Sequence, residues 1–400
     1  LSDPILRSLK DQNYKKPTPI QAEVIPAVLN NSDIMAAAQT GTGKTAAFVL
    51  PILSKLSNPK YKYKGHQLRA LIVTPTRELA AQVRESVNTY SKYLSIRSTA
   101  VYGGARIHNQ KLKLRKGIDI LVATPGRLLD LHNQKSVNLK NIEILVLDEA
   151  DQMLDMGFIH DIKKIANLLP DRRQNLMFTA TFSDSFRSLA MNMAEKAIEI
   201  SVTNDNETGE NINHYIHPVD KSRKAELLIE LIKTKKWDQA LVFTRTKHGA
   251  DRLQKQLDKV NINSKAIHGN KTQNNRMKAL EAFKNNKIQI LVATDVAARG
   301  IDIKRMSQVI NFDVPTVAKD YVHRIGRTGR GGDMGEAITL VSADEFRLLR
   351  DIEKLINKKL ERVEIEGFEP EHVVSIQDKP NTKRFHNKKG FKKRNKSRKG

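Results

Sequence analysis

The chain has 400 residues and a mass of 45.2 kDa, enough for two domains of ordinary size, each with its own core. It contains no cysteine, which excludes disulfides and thiolate metal sites, and its eleven histidines are scattered, with nothing beside His214 and His217 to complete a metal centre. No apolar run reaches the length of a membrane span, and a net charge of +25 with a pI near 9.9 favours polyanionic partners, nucleic acid first. The chain opens on Leu1 with no signal-peptide pattern and reads as trimmed; the cytoplasm is the expected compartment.

In chain order, the first strong element is "IMAAAQTGTGKTAAFVLPIL", Ile34 to Leu53, which reads as a strand, a glycine turn and a helix start. The phosphate-loop pattern G-x-x-x-x-G-K-[ST] is met everywhere except its first position, which is Ala38. Thr40, Gly41, Thr42 and Gly43 would then line the phosphates, with the two glycines keeping the backbone open to close approach. Lys44 would reach the terminal phosphates and Thr45 would hold a metal ion, aided by the amides and dipole of the helix start. The same letters also fit a dinucleotide fingerprint through Gly41, Gly43 and Ala46, but that fold needs an acid about 20 residues on. No Asp or Glu occurs between Thr45 and Glu78. A plain structural turn is the remaining alternative.

Further along come "ALIVTPTR" from Ala70, a helical stretch "TRELAAQVRESVNTY", the pair Gly103-Gly104, and "DILVATPGR" from Asp119. Then "ILVLDEADQML", Ile144 to Leu154, ends an apolar strand in three carboxylates: Asp148, Glu149 and Asp151. Unpaired buried charge is costly, so this cluster needs a cation or a structural reason. Asp148 can bind Mg²⁺ directly or through water. Glu149 can orient or deprotonate an attacking water. The alternative is that Asp148 only caps a helix starting at Glu149.

The polar, aperiodic stretch that follows Thr203 reads as a linker over 204–213. Beyond it, "ALVFTRTK" from Ala240 and "QILVATDVA" from Gln289 repeat the two earlier strands at an offset of 170, and Ile-Leu-Val-Ala-Thr is identical at 120–124 and 290–294. Two matches at one spacing argue for a duplicated fold. Each half alternates short apolar strands with helical stretches, the pattern of parallel α/β sheets, whose ligands gather at the strands' carboxyl ends. The second copy has no glycine loop at the matching place, so one phosphate site is expected. Residues 366–400 read as a disordered basic tail. Lys379 to Gly400 holds eleven Lys or Arg and no acid, so the preceding 378 residues carry the other +14. The tail is either a solubiliser or an electrostatic arm for RNA or DNA.

With "AQTGTGKT" and Asp148-Glu149-Ala150-Asp151 in hand, the chain resembles the DEAD-box RNA helicases, and "FTRTKHGADRL", "IHGNKTQ" and the basic tail are most like the bacterial RhlE branch. The likeness also runs through "PTPIQ" ending at Gln21, "PTREL", Gly103-Gly104, "TPGR", "VFTRT", "QNNR", "ATDVAARGID" and "HRIGRTGR". It implies two tandem RecA-like domains over 1–203 and 214–365, closing on ATP, Mg²⁺ and RNA. Tyr14 would stack on adenine, Gln21 would read its edge, and Asp302 would meet the ribose. Arg327 and Arg330 would be arginine fingers reaching ATP on the first domain, with His323 linking it to the coupling elements. A basic loop touching nucleic acid is the plainer reading of that run, and a fair one for Arg324. By the same resemblance, RNA contacts fall to Arg77, Gly104, Thr124, Arg127, Arg245, Gly269 and Thr294. These are glycines, hydroxyls and guanidinium forks, which grip a phosphate backbone and carry little sequence preference.

Two departures stand out. The coupling motif, usually Ser-Ala-Thr, is Thr179-Ala180-Thr181, which keeps the hydroxyl but narrows its rotamers, and Asn13 replaces a usual Gly before Tyr14. Hydrolysis should persist, with unwinding efficiency the quantity at stake. Ribosomal RNA is the substrate the resemblance suggests, and a monomer the expected state. The alternatives are a non-catalytic RNA chaperone and a DNA translocase. Deleting Lys379 to Gly400 should weaken RNA binding and flatten its salt dependence, since each neutralised phosphate of a single strand contributes about −0.7 to the log–log slope. An unchanged slope in a salt titration would remove the arm.

Overall fold

The computed structural model describes residues 1–38, 41–58, 66–202, 212–298, 306–329 and 334–371. Two seven-stranded sheets form its frame. The first contains β1 (Ile34–Ala37), β2 (Ala70–Val73), β3 (Ser98–Val101), β4 (Ile120–Ala123), β5 (Ile144–Leu147), β6 (Gln174–Thr179) and β7 (Ile198–Ser201). The second contains β8 (Ile212–Pro218), β9 (Ala240–Phe243), β10 (Ser264–Ile267), β11 (Ile290–Ala293), β12 (Gln308–Asn311), β13 (Gly335–Val341) and β14 (Glu361–Arg362).

The sheets run β3-β4-β2-β5-β6-β1-β7 and β10-β11-β9-β12-β13-β8-β14, with every pairing parallel. Adding seven to each label of the first gives the second, so the duplicated fold is real. The offset of 170 read from the sequence holds for β2 with β9 and for β4 with β11, whereas β3 and β10 begin at Ser98 and Ser264. Insertions in the connections blur the repeat elsewhere.

Why these segments become strands follows from their composition. Ile34–Ala37, Ala70–Val73, Ile120–Ala123 and Ile144–Leu147 are apolar at every position and buried throughout. Such runs fit a parallel sheet covered on both faces. Alternation then divides them: Ala70 and Ile72 join one core layer, Leu71 and Val73 the other. Each buried Leu, Ile or Val contributes roughly 1.5–3 kcal/mol relative to exposure. Helices from both sides close the layers; the helix Lys44–Leu56, for instance, buries Ala46 to Leu53.

Three sequence expectations need adjustment. Strand β8 starts at Ile212, so the last two residues of the span read as linker pair with β13, while 204–211 lie outside the described residues. At the start of the tail, Phe368 packs against the second core and under the Arg223 guanidinium, 4.5 Å from its ring centroid. An aromatic with a cationic lid is enough to hold this segment, and the tail from 372 onward lies outside the described residues. Arg324 is a keystone of the second domain, with a side chain only 2% exposed. Its Nε and Nη2 bind Asp295 at 2.5 and 2.7 Å, and its Nη1 donates to Asn311 and to the Asp313 carbonyl. It is therefore unavailable to nucleic acid.

Arg324→Met leaves the Asp295 carboxylate without its partner and should destabilise the second domain by about 3 kcal/mol, the usual cost of breaking one side of a buried pair. Urea unfolding checks this, and Asp295→Asn in the same chain should recover part of the loss.

Candidate functional site

Strand order builds the first station. Because β5, β6 and β1 lie side by side, the residues leaving their carboxyl ends meet: Asp148 and Glu149 after β5, Thr179 at the end of β6, and the glycine turn after β1. Gly41 and Gly43 both have positive φ, +87° and +94°, and the helix Lys44–Leu56 follows at once. A Cβ on Gly43 would lie 2.4 Å from the Gln21 amide nitrogen, so glycine is required there twice over. Gln21 braces this turn: its Nε2 donates to the Gly43 carbonyl and its Oε1 accepts from the Thr18 amide. One N–H and one lone pair remain for a base edge. Tyr14 stands nearby in sequence, exposed on one face and tied through its hydroxyl to Tyr90 at 2.8 Å; Asn13 before it has φ +57°, so the turn survives without glycine. Thr40 lies outside the described residues.

Lys44 is buried, and its Nζ donates to the Thr179 carbonyl at 3.3 Å. Asp151 takes the neighbouring amide, Ala180 N, at 2.9 Å. The lysine of the turn, the acidic cluster and Thr179-Ala180-Thr181 are thus one hydrogen-bonded unit. Thr179 Oγ1 donates to the Thr181 carbonyl and accepts from its amide, so threonine keeps both the donor and the acceptor role of its hydroxyl here. The capping alternative for Asp148 falls. The helix begins at Ala150, with Glu149 at its N-cap in left-handed conformation, φ +54°, and no side-chain cap bond. A glutamate held there is strained, as is common at functional positions.

Asp148 and Glu149 are both buried side by side. Burial raises both carboxyls and Asp148 pushes Glu149 further, while Lys44 draws both down and Arg327, from the other half of the chain, also lowers Glu149. Glu149 Oε2 has no hydrogen-bond partner. Adjacent buried carboxylates with an unmet oxygen make a donor set suited to a hard cation, which needs only one or two protein oxygens when phosphates supply the rest.

The second station uses β3, β4 and β2, again neighbours. Arg77 follows β2 and lies against Gly104, where a Cβ would come within 1.9 Å of its Nη1. Arg127 donates to the Ala105 carbonyl at 3.2 Å. Thr124, after β4, opens the helix Pro125–Asn133 with its hydroxyl unused as a cap. The other half repeats this on β10, β11 and β9, with Gly269, Thr294 and Arg245 at matching strand ends. Thr124 N and Thr294 N even bond the equivalent carbonyls, Val101 and Ile267. A Cβ on Gly269 would meet only open space. All seven proposed backbone contacts therefore sit at one edge of the two sheets.

His323 and Arg327 line a small cleft with Asp320 and Phe243. Asp302 and Arg330 lie outside the described residues. The halves touch through three buried residues that sequence reading had not assigned. Glu78 accepts from Gln273 at 2.8 Å and from Arg276 at 3.0 Å. The signal was present: Gln273 and Arg276 are three apart on one helix, and Glu78 follows Arg77.

Residues 18–189 match the DEAD/DEAH box helicase family and 223–332 the helicase conserved C-terminal domain. The chain is 40% identical over 374 residues to the DEAD-box ATP-dependent RNA helicase RhpA of Helicobacter pylori, covering 94% of this chain and 75% of that protein. It is 42% identical over 364 residues to CshA of Bacillus cereus, covering 91% and 68%. The chain belongs to the DEAD-box ATP-dependent RNA helicases. Among solved structures, S. cerevisiae Dbp5 bound to RNA and ADP BeF3 superposes with a TM-score of 0.80 at 32% identity, covering 91% of this chain and 94% of that one. Mss116p bound to ssRNA and AMP-PNP gives 0.81 at 30% identity, covering 92% and 78%. Two RecA-like domains are the shared frame of this helicase and those structures.

The raised Glu149 carboxyl has a consequence for the nucleotide-free helicase. Between the ordinary glutamate range and neutral pH the folded state binds more protons than the unfolded state, so stability falls as pH rises. Glu149→Gln removes that loss. With chelator present, the variant should match the parent below about pH 4 and exceed it at pH 8 by about 1 kcal/mol or more, one pKa unit being worth about 1.4 kcal/mol. Urea midpoints across pH decide; parallel curves would contradict the buried, raised carboxyl.

Proposed function

We propose that this RNA-dependent ATPase closes its two domains on ATP with Mg²⁺ and on one RNA strand, gripping that strand in a shape a duplex does not allow and so opening helices locally. The observation that carries the proposal is electrostatic: Glu149 of one half feels Lys44 and Asp148 of its own half and Arg327 of the other. Lys44, Thr42 and the glycine turn hold the phosphates. Thr45 and Asp148 would hold the ion, which when bound neutralises phosphate charge. Glu149 holds and orients the attacking water and takes its proton at the buried carboxylate. Arg327 completes the site only when the halves meet, and an inserted arginine contributes about 10³–10⁵ in rate for phosphoryl transfer. Thr40, Arg330, Asp302 and the adenine roles of Tyr14 and Gln21 rest on the motif match.

Lys44, Asp151, Ala180 and Thr179 tie the phosphate turn to the coupling motif, and Glu78 ties the RNA-side helix of the first half to the second. These links support a reading in which hydrolysis and grip share one closure. Arg77, Gly104, Thr124 and Arg127, with Arg245, Gly269 and Thr294, form the grip, directed at phosphates and sugars; discrimination of RNA from DNA falls to the 2′-hydroxyl. A cytoplasmic monomer fits, since one chain supplies both halves of the ATP site. Structured ribosomal RNA, held nearby by the basic tail, is the substrate this reading favours, and the RhlE placement belongs with it.

Phosphate release under RNA stimulation is the test. Lys44→Ala, Glu149→Gln and Arg327→Ala should each lower it at least about 10²-fold, and single-stranded DNA should stimulate far less than RNA. Turnover indifferent to these changes would return the protein to a passive chaperone, and equal stimulation by DNA would make it a DNA translocase.

A further inference from the structure

The second domain has its own counterpart of the ATP station, and the structure shows what fills it. Lys224 opens the helix after β8 as Lys44 opens the helix after β1. Both lysines are buried, and both donate to a carbonyl of the adjoining strand: Lys44 to Thr179 at the end of β6, Lys224 to Leu340 on β13. Phe312 follows β12 where Asp148 follows β5, and its carbonyl takes a second Lys224 N–H at 2.9 Å. The third N–H goes to the Glu345 carboxylate.

Glu345 is 3% exposed and surrounded by donors. Its Oε2 accepts from Lys224 and from the Ser342 amide at 3.2 Å, with the Ser342 hydroxyl 3.0 Å away but giving its shorter bond, 2.6 Å, to Asp344. Its Oε1 accepts from Val314 N at 3.2 Å and from Arg245 Nη2 at 2.7 Å. Two amides and an ammonium around one anion are the chemistry of a phosphate cradle. Here the anion belongs to the chain. The lysine is held without any nucleotide, which gives a physical reason for a single ATP site in a duplicated fold.

Arg245 is the one member that reaches the surface, its side chain 36% exposed. Only its Nη2 is engaged, by Glu345 and by the Val314 carbonyl at 3.2 Å, while its backbone N–H donates to Asp313. Its Nε and Nη1 N–H groups carry no hydrogen bond among the described residues. A guanidinium held through one nitrogen keeps its remaining N–H groups in fixed directions and loses less rotamer freedom when they meet a phosphate. We propose that Glu345, seated on Lys224 in the relict phosphate station of the second domain, is a positioning residue that sets Arg245 for the RNA backbone. This rests on the reading of Arg245 as an RNA contact.

The test measures the RNA concentration that half-saturates ATP hydrolysis, and kcat at saturating RNA, in the full chain. Glu345→Gln should raise the half-saturating RNA about tenfold while leaving kcat within about twofold, and adding it to Arg245→Ala should change that variant's value by less than about twofold, as for residues that act through one contact. Because Glu345→Gln strands a buried ammonium, Lys224→Met with Glu345→Gln removes the pair together and should show the same raised half-saturation. If Arg245→Ala leaves the half-saturation unchanged, the RNA role of Arg245 is wrong. If Arg245→Ala raises it but neither Glu345 variant does, or if the effects multiply in full, the positioning role is overturned while the RNA contact stands.

Discussion

Everything chemical in this helicase depends on two all-parallel seven-stranded sheets whose carboxyl ends carry the loops of the candidate site. Parallel pairing forces each strand to return through a crossover, so consecutive strands release their loops at the same edge. The order then decides which loops become neighbours. β5-β6-β1 gathers an acidic cluster, a hydroxyl-bearing turn and a lysine into one pocket, while β3-β4-β2 gathers an arginine, a glycine turn and a helix start beside it. Neither set is contiguous in sequence, and no local propensity could assemble them.

Much of this was readable before any coordinates. The strands announced themselves as apolar runs of four to eight residues, and one repeated word, Ile-Leu-Val-Ala-Thr, exposed the duplication. Lys44, Asp148 and Glu149 were legible because their chemistry demands particular residue types next to a turn. What stayed hidden were partners set by the tertiary fold. Arg324 looked like a surface cation because sequence carries no sign that Asp295 and Asn311 fold around it. Gln21 reads as a base-edge amide, yet its role in bracing Gly43 emerges only when the turn and the helix Pro19–Leu29 are placed together. Lys224 gave no signal at all, since the glycines that would mark its loop are gone.

The contact of Glu78 with Gln273 and Arg276 bears on how hydrolysis can be tied to grip. It joins the helix that starts at Arg77 to a helix of the other half, so the residue beside the proposed RNA contact Arg77 is also a contact between the halves. In the same arrangement the Arg327 charge acts to lower the Glu149 carboxyl. One buried carboxylate with two partners is a sharp device: removing either half leaves it uncompensated, and such an uncompensated charge costs several kcal/mol.

The cleft nevertheless keeps unmet groups. Glu149 Oε2, Gln273 Oε1 and Arg276 Nε are buried with no hydrogen-bond partner, although the great majority of buried polar atoms in folded proteins have one. All three sit where the halves face each other. Together with two adjacent buried carboxylates and a left-handed Glu149, they leave unmet polar groups concentrated at the cleft. A site in that condition gains more from a cation and a nucleotide than a relaxed one would, because each arrival removes an existing penalty as well as adding a contact.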